Sequence, residues 1–391
     1  MYDNAIYLDY NATTPIDRRV RDCMMPYLFG AFGNPSSNHA FGREAAAAVE
    51  HARQHVARLI NAQPDEIFFT GSATESINWA LKGLTHSRQA ADQTIVATTA
   101  EHKAVLEVCH QLEEQMTVTY TPVSRQGNID LRDLLRRATA RRTLLVSVML
   151  ANNEIGTIYP IREAADIAHR SGALFFTDAT QAVGKIPVDV RAANFDLMAF
   201  SAHKLYGPKG VGALFIRGGR SKIQLRPLIA GGGQEQGLRG GTHNVAGIVG
   251  FGEACRIARD EMPVEAARVA GLRNLLEDRL RSLGNVSVNG DLQHRLPNTT
   301  NLCFHGVAAT RLIQEMGDVA VSVRSACSSQ TGTPSHVLKA MGLCDHCASS
   351  SIRFSLGRFT TEEEIDLAAR RVTEVVQRLR TQPSQQQCLH R

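Results

Sequence analysis

The chain has 391 residues, enough for two or three domains, and its 43 Lys and Arg against 38 Asp and Glu leave a net charge of +5, too small and scattered for a nucleic-acid-binding stripe. Its longest apolar stretch, residues 144–150, is far too short to span a bilayer, and Asp3, Asp9 and Asp17 stand where a secretory signal needs an apolar segment. Eight cysteines in a chain of this size do not make a disulfide framework, so neither a membrane nor a secreted setting is expected.

In chain order, strand-like apolar runs fall at residues 67–70, 94–98, 118–120, 144–149, 174–178, 197–201 and 213–216. Helix-length segments at 76–84, 104–114 and 161–171 lie between them, and the basic run from Arg132 to Arg142 reads as one solvated helix face. This alternation predicts a mostly parallel sheet covered on both faces. The run Gly231-Gly232-Gly233 ends the pattern. From Val245 a long helical stretch leads to strands at 286–288 and 299–304, a helix at 309–316 and a last helix after Thr361, which together predict a smaller α+β unit. No internal repeat is present, and the tail from Gln382 is expected to be disordered.

Polar residues follow the strand-like runs in a pattern that points to chemistry. Asp178-Ala179-Thr180-Gln181 closes one run and Ser201-Ala202-His203-Lys204 closes another, where open α/β sheets place their reactive groups. A lysine at such a point can form a Schiff base, and an Asp on a neighbouring strand end can hold a pyridinium nitrogen protonated. Those are the two groups that pyridoxal phosphate requires of a protein. Either residue alone would ordinarily be a solvated loop residue. The argument is their pairing, together with polar stretches at Ser72 to Glu75, Glu101 to Lys103 and Asn152 to Glu154, each just after an apolar run.

At these residues the sequence resembles the cysteine desulfurases of the NifS and IscS kind, within the class V aminotransferases. The shared blocks run from Tyr7-Leu8-Asp9-Tyr10-Asn11-Ala12-Thr13-Thr14-Pro15 to Ser351-Ile352-Arg353-Phe354-Ser355-Leu356-Gly357-Arg358. Between them lie Gly33-Asn34-Pro35-Ser36-Ser37, Ala73-Thr74-Glu75-Ser76, Glu101-His102-Lys103-Ala104-Val105, Asn152-Asn153-Glu154-Ile155-Gly156 and Arg324-Ser325-Ala326-Cys327. The resemblance implies an α/β, aspartate aminotransferase-like fold of two units: a large one over 14–257, and a small one over 258–391 joined by residues 1–13.

It further implies pyridoxal 5′-phosphate as cofactor, L-cysteine as substrate, a homodimer, and a protein that accepts the sulfur. Lys204 is then the Schiff-base lysine, Asp178 the partner of the ring nitrogen, Gln181 that of the phenolic oxygen, and His102 the residue stacked on the ring and able to take part in proton transfer. Ala73, Thr74, Ser201 and His203 hold the phosphate, with Thr242 donated by the second subunit, and Asn153 and Arg353 serve the amino-acid substrate. The Ser72-to-Glu75 stretch also suits an ordinary helix cap, and the two roles are compatible. An arginine at 353 offers the planar fork that grips a carboxylate through two bonds.

Among the cysteines, Cys327 alone sits in a small polar segment, 325–334, and by resemblance it forms the persulfide. Cys23, Cys109, Cys255 and Cys303 lie in apolar or helical contexts and read as buried small hydrophobes. Arg324 stands where the family usually has Gly; the expectation is that a cation three residues from the thiol raises its thiolate fraction, the alternative that loss of the Gly stiffens the base of the loop. Cys344-Asp345-His346-Cys347 is a C-x-x-C with no second pair beside it, a weak metal signal, and no metal site is expected. A pyridoxal enzyme that needs a free thiol belongs in a reducing compartment, which makes a cytoplasmic location the expectation. An aminotransferase or selenocysteine lyase of the same fold, or a non-catalytic sulfur-relay scaffold, are the alternatives. Iron–sulfur assembly, thiolation of transfer RNA and sulfur modification of DNA are all open as destinations of the sulfur.

Overall fold

The computed structural model describes residues 5–87, 92–323 and 334–382; Arg324, Cys327 and the tail beyond 382 lie outside the described residues. After strand β1 (Ile6–Tyr7) and helices α1 (Arg18–Phe29) and α2 (Ala40–Leu59), strands and helices alternate as β2 (Ile67–Thr70), α3 (Ala73–Ser87), β3 (Thr94–Thr98), α4 (Lys103–Leu112), β4 (Thr117–Thr121), α5 (Leu131–Ala140), β5 (Thr143–Ser147), α6 (Ile161–Arg170), β6 (Leu174–Asp178), β7 (Leu197–Ser201) and β8 (Gly212–Ile216). The seven strands β2 to β8 form one sheet in the order β2-β8-β7-β6-β5-β3-β4. Every pairing is parallel except those of β8, which runs antiparallel to both β2 and β7.

The side chains explain why this sheet is buried on both faces. Successive residues enter opposite cores: Val96, Val146, Phe175, Met198 and Phe215 join one apolar cluster, while Ile95, Leu145, Phe176, Leu197 and Leu214 join the other. The apolar run at 144–149 predicts a longer β5 than is formed. Val148 and Leu150 still donate to Phe176 O and Asp178 O on β6, but the N–H of Met149 turns to the carboxylate of Glu101 at 2.9 Å, so pairing with β3 ends there. Helix α3 starts three residues ahead of its predicted position, because Ser72 Oγ accepts from Glu75 N at 3.1 Å and closes the first turn.

After the short helix α7 (Gly219–Lys222), helix α8 (Val245–Arg281) runs for 37 residues, about 55 Å at 1.5 Å per residue, through the position of the sequence-based boundary at 257. It packs on α1 and α2 at one end and on the final helix at the other. Beyond it lie β9 (Val286–Asn289), β10 (Thr299–Phe304), α9 (Ala309–Met316), β11 (Val319–Ala320), α10 (His336–Ala340), α11 (Asp345–Ser349), β12 (Ser351–Ser355) and α12 (Glu362–Thr381). Strands β12, β10 and β9 form an antiparallel sheet in that order, and β1 pairs in parallel with β11. Thr361 and Glu364 cap α12 reciprocally, the Ser/Thr-x-x-Glu signature of a helix start. No helix among the described residues is long and apolar enough to cross a membrane.

The expectation for the cysteines is also corrected. Cys109, Cys255 and Cys303 are buried, but Cys23 is exposed, because it lies on the solvent side of α1, where only Val20 is buried.

Candidate active site

The C-terminal ends of β2, β3, β5, β6 and β7 open on one rim, as their parallel directions require. There they enclose a cleft in which several polar groups converge, the usual form of a small-molecule site. Ala73, Thr74, His102, Asn153, Asp178, Gln181, Ser201, His203, Lys204 and Arg353 all line it. Of the expected site residues, two are not in this wall. Cys327 lies outside the described residues. Thr242 is exposed in a neighbouring crevice with Arg239 and His243, which are drawn away by ion pairs to Glu75 and Glu235 at 2.9 and 2.6 Å.

Lys204 ends a short 3₁₀ turn that follows β7 directly, and its Nζ donates to the carbonyls of Asn11 and Ala12, both at 2.6 Å. Asp178, the last residue of β6, is buried, and its Oδ1 accepts from Thr180 N at 2.9 Å. Gln181 is fixed at both ends of its amide: Nε2 donates to Asn11 O at 3.0 Å and Oε1 accepts from Lys185 Nζ at 2.5 Å. The ammonium of Lys185 is held well below its ordinary pKa, first by burial and then by the positive charges of Lys204 and Arg353.

His102 is both the N-cap of α4 and a wall of the cleft. Its Nδ1 accepts from Ala104 N at 3.1 Å, and burial lowers its pKa, with Asp178 acting in the opposite sense. A neutral ring whose Nδ1 accepts must carry its proton on Nε2. His203 is pushed down to about 4 by burial, with Lys204 and Lys209 adding to the effect, and its Nδ1 pairs with Thr13 Oγ1 at 3.1 Å. Glu101, wholly buried behind the rim, is pushed up to about 8 by desolvation. Its Oε1 takes the bonds from Met149 N and Thr98 Oγ1, and its Oε2 has no partner among the described residues.

Arg353 reaches the cleft from β12 of the other sheet and is 1 % exposed. Its Nη2 pairs with Asp9 Oδ1 at 2.5 Å and its Nη1 donates to Asn153 O at 2.9 Å, while Nε has no partner among the described residues. A guanidinium has five donor hydrogens, so three remain in this buried fork.

Asn11, used in the sequence only as a family landmark, is the hub of the site. Beyond its carbonyl contacts, its Nδ2 donates to Asn153 O and Thr299 Oγ1, and its Oδ1 accepts from Lys185 Nζ and Asn298 Nδ2. The signal was a polar run, Asp9 to Thr14, too short to be an element of its own. Lys185 also went unremarked, being four residues past Gln181 in a stretch with no strand or helix pattern.

These residues suit pyridoxal 5′-phosphate on structural grounds. The first turn of α3 offers backbone N–H groups and the positive end of the helix dipole to a phosphate. Gly212 lets that turn sit tight on the sheet, since a Cβ there would lie 2.7 Å from Ser72 C and 3.0 Å from Ala73 N. Opposite are an amine, a buried carboxylate and a neutral histidine, the donor set this cofactor needs.

The Aminotransferase class-V family model matches residues 6–367. The cysteine desulfurase IscS of Escherichia coli O139:H28 is 48% identical over 379 residues, covering 96% of this chain and 93% of that protein. Among solved structures, a NifS-like protein superposes with a TM-score of 0.89 at 39% identity, covering 95% of this chain and 99% of that one. SspA in complex with cysteine gives 0.81 at 35% identity, covering 91% and 99%. The chain belongs to the class-V aminotransferase family. Within that family it is a cysteine desulfurase dependent on pyridoxal 5′-phosphate.

Proposed function

We propose that the cleft holds pyridoxal 5′-phosphate through Lys204 (covalently), Asp178, Gln181 and His102 (the ring) and Ala73, Thr74, Ser201 and His203 (the phosphate), and that Cys327 carries the sulfur away. The observation that supports this reading best is the meeting in one cleft of Asp178 and Lys204, from the ends of the paired strands β6 and β7, with Arg353 from β12 of the other sheet. When bound, the cofactor supplies an electron sink for the charge left at the substrate Cα.

The chain's own groups do the rest. Arg353 holds the α-carboxylate of L-cysteine with the donors that Asp9 and Asn153 leave over, and Asn153 shapes the same wall. The accepting nitrogen of His102 is already engaged, so His102 donates from Nε2, and Lys204 Nζ is left as the base for the α-proton. The Cys327 thiolate attacks the substrate sulfur: a sulfur–sulfur bond forms, the Cβ–S bond breaks, and alanine leaves after protonation. The large unit, 14–257, holds the cofactor, and the small unit, 258–391 with 1–13, brings the thiol. Two copies act as a homodimer in the cytoplasm, each giving Thr242 to the other's phosphate site, and the persulfide sulfur passes to an acceptor protein. Bound cysteine in the related SspA structure is consistent with this substrate.

The test is reduction of the yellow holoenzyme with borohydride followed by peptide mapping. The adduct is expected on Lys204. A colourless protein, or an adduct elsewhere, overturns the assignment. Separately, Cys327→Ser should stay yellow and bind L-cysteine while forming no persulfide, detected by mass as a lost sulfur adduct.

A further inference from the structure

Away from the cleft, one other place gathers soft donor atoms. Cys303 lies near the end of β10 and His305 follows two residues later; Cys344 caps the start of α11, which carries Cys347. One ring nitrogen of His305 and the sulfurs of Cys303 and Cys347 all lie within 4.8 Å of one another. Cys344 Sγ is 3.2 Å from Cys347 Sγ, and Cys303 Sγ is 3.8 Å from His305 Nδ1. A tetrahedron of thiolates about 2.3 Å from a zinc ion has edges of about 3.8 Å, comparable to these separations.

The surroundings hold these donors in place. Nε2 of His305 pairs with Ser287 Oγ on β9 at 2.9 Å, which leaves Nδ1 toward the sulfur of Cys303, the second partner a ligating histidine ordinarily has. Cys347 O accepts from Ser351 Oγ at 2.7 Å and from Cys303 Sγ at 3.4 Å, fixing α11 against the sheet. Cys303 is buried, while His305 and Cys344 are exposed, so an ion has a route in.

We propose that Cys303, His305, Cys344 and Cys347 form a Cys3His site for a thiophilic divalent cation, zinc by preference. Cys303, His305 and Cys347 are already gathered and Cys344 stands beside Cys347 to complete the set; three thiolates and one imidazole select zinc over the oxygen-seeking magnesium and calcium. The rival is a disulfide between Cys344 and Cys347. It would use two of the four donors and leave the approach of Cys303 and His305 without purpose. The bound ion would tie α11 to the β9–β10 side of the sheet that carries Arg353. It takes no part in the proposed chemistry of the cleft.

Full-length, pyridoxal-loaded protein, reduced and stripped with a chelator, would be dialysed against Zn²⁺ and its metal content measured after gel filtration, with Co²⁺ titrated into a second sample. One zinc per chain is expected, and Co²⁺ should give thiolate-to-metal charge-transfer absorption with tetrahedral ligand-field bands. Both should vanish in Cys344→Ser/Cys347→Ser and persist in Cys327→Ser, and Ser287→Ala should weaken zinc binding about 10- to 100-fold. The proposal fails if the wild type keeps no stoichiometric zinc, if the double variant keeps as much, or if non-reducing mass analysis finds the Cys344–Cys347 pair oxidised in the protein as purified. Should the double variant not fold, lack of the cobalt charge-transfer band in wild type overturns the proposal by itself.

Discussion

The cleft and the cysteine–histidine cluster both assemble reactive side chains from distant parts of the chain, but by different routes. In the cleft the groups other than Asn11, Ala12 and Arg353 follow the C-terminal ends of parallel strands, so one topological rule delivers five segments to one rim. In the cluster an antiparallel strand end meets a helix start through packing and two bonds to the carbonyl of Cys347. The first arrangement is cross-bonded without any ligand, through Asn11, Lys185 and the carbonyls around Lys204. The second has its donors in place but few bonds among them. Preorganisation by the protein marks the cleft, and the cluster leaves that work to an ion.

Four substitutions would break or sharpen this contrast. The largest effect is expected from Lys204→Ala, which should cost at least about 10³-fold in desulfurase turnover and remove the visible absorption, without loss of zinc from the second site. Next comes Arg353→Lys. Exchange of the fork for a point charge should lower kcat/KM for L-cysteine about 10- to 100-fold, mostly through KM, in steady-state kinetics.

Asn11→Ala should act on stability more than on chemistry, because Lys204 and Gln181 use its backbone oxygen while only its side chain is lost. A loss of about 1–3 kcal/mol in denaturant unfolding is expected from the unpaired groups of Lys185, Asn298 and Thr299, and a loss below about 0.5 kcal/mol would show that the hub does not organise the cleft.

The last effect, confined to the pH dependence of stability, concerns Glu101. Its folded pKa is raised from the usual carboxylate value to about 8, so the folded state holds a proton that the unfolded state releases from about pH 4.5 upward. Its contribution is therefore fully present below about pH 4.5 and lost as pH rises through about 8. Glu101→Gln can keep the bonds from Met149 and Thr98, so it should flatten the fall in melting temperature between pH 5 and 8.5, a difference of a few kcal/mol at most by thermal unfolding at stepped pH.

The sequence made the large sheet legible because both of its faces are buried and its strands are continuous apolar runs. Thr74, His102, Asn153, Asp178 and Lys204 could be read because each comes just after such a run, whereas Arg353, inside a strand, Thr242 and Cys327 were read only through the family resemblance. Asn11 and Lys185 were hidden by having no periodic context: their importance comes from bonds to segments nearly 150 residues or more away, such as Asn11 with Asn153 and Asn298. The cysteine cluster was half visible. Cys344-x-x-Cys347 stood out, but the register that sets β10 beside β9 and α11 beside β10 was needed to supply Cys303 and His305. Cys23 misled because helical context does not say which way a helix face points.

The opening segment of the chain has a further consequence. Ile6 and Leu8 donate to Asp318 O and Ala320 O, just ahead of the stretch that holds Cys327; Asp9 grips Arg353; and the carbonyls of Asn11 and Ala12 anchor Lys204. Seven consecutive residues thus act as a mooring line tied to Arg353 and Lys204, the groups proposed to hold the substrate and the cofactor, and to the strand that precedes Cys327 in the chain. A single proteolytic nick within them would unfasten all three together, and such an enzyme would lose its activity abruptly, not by degrees.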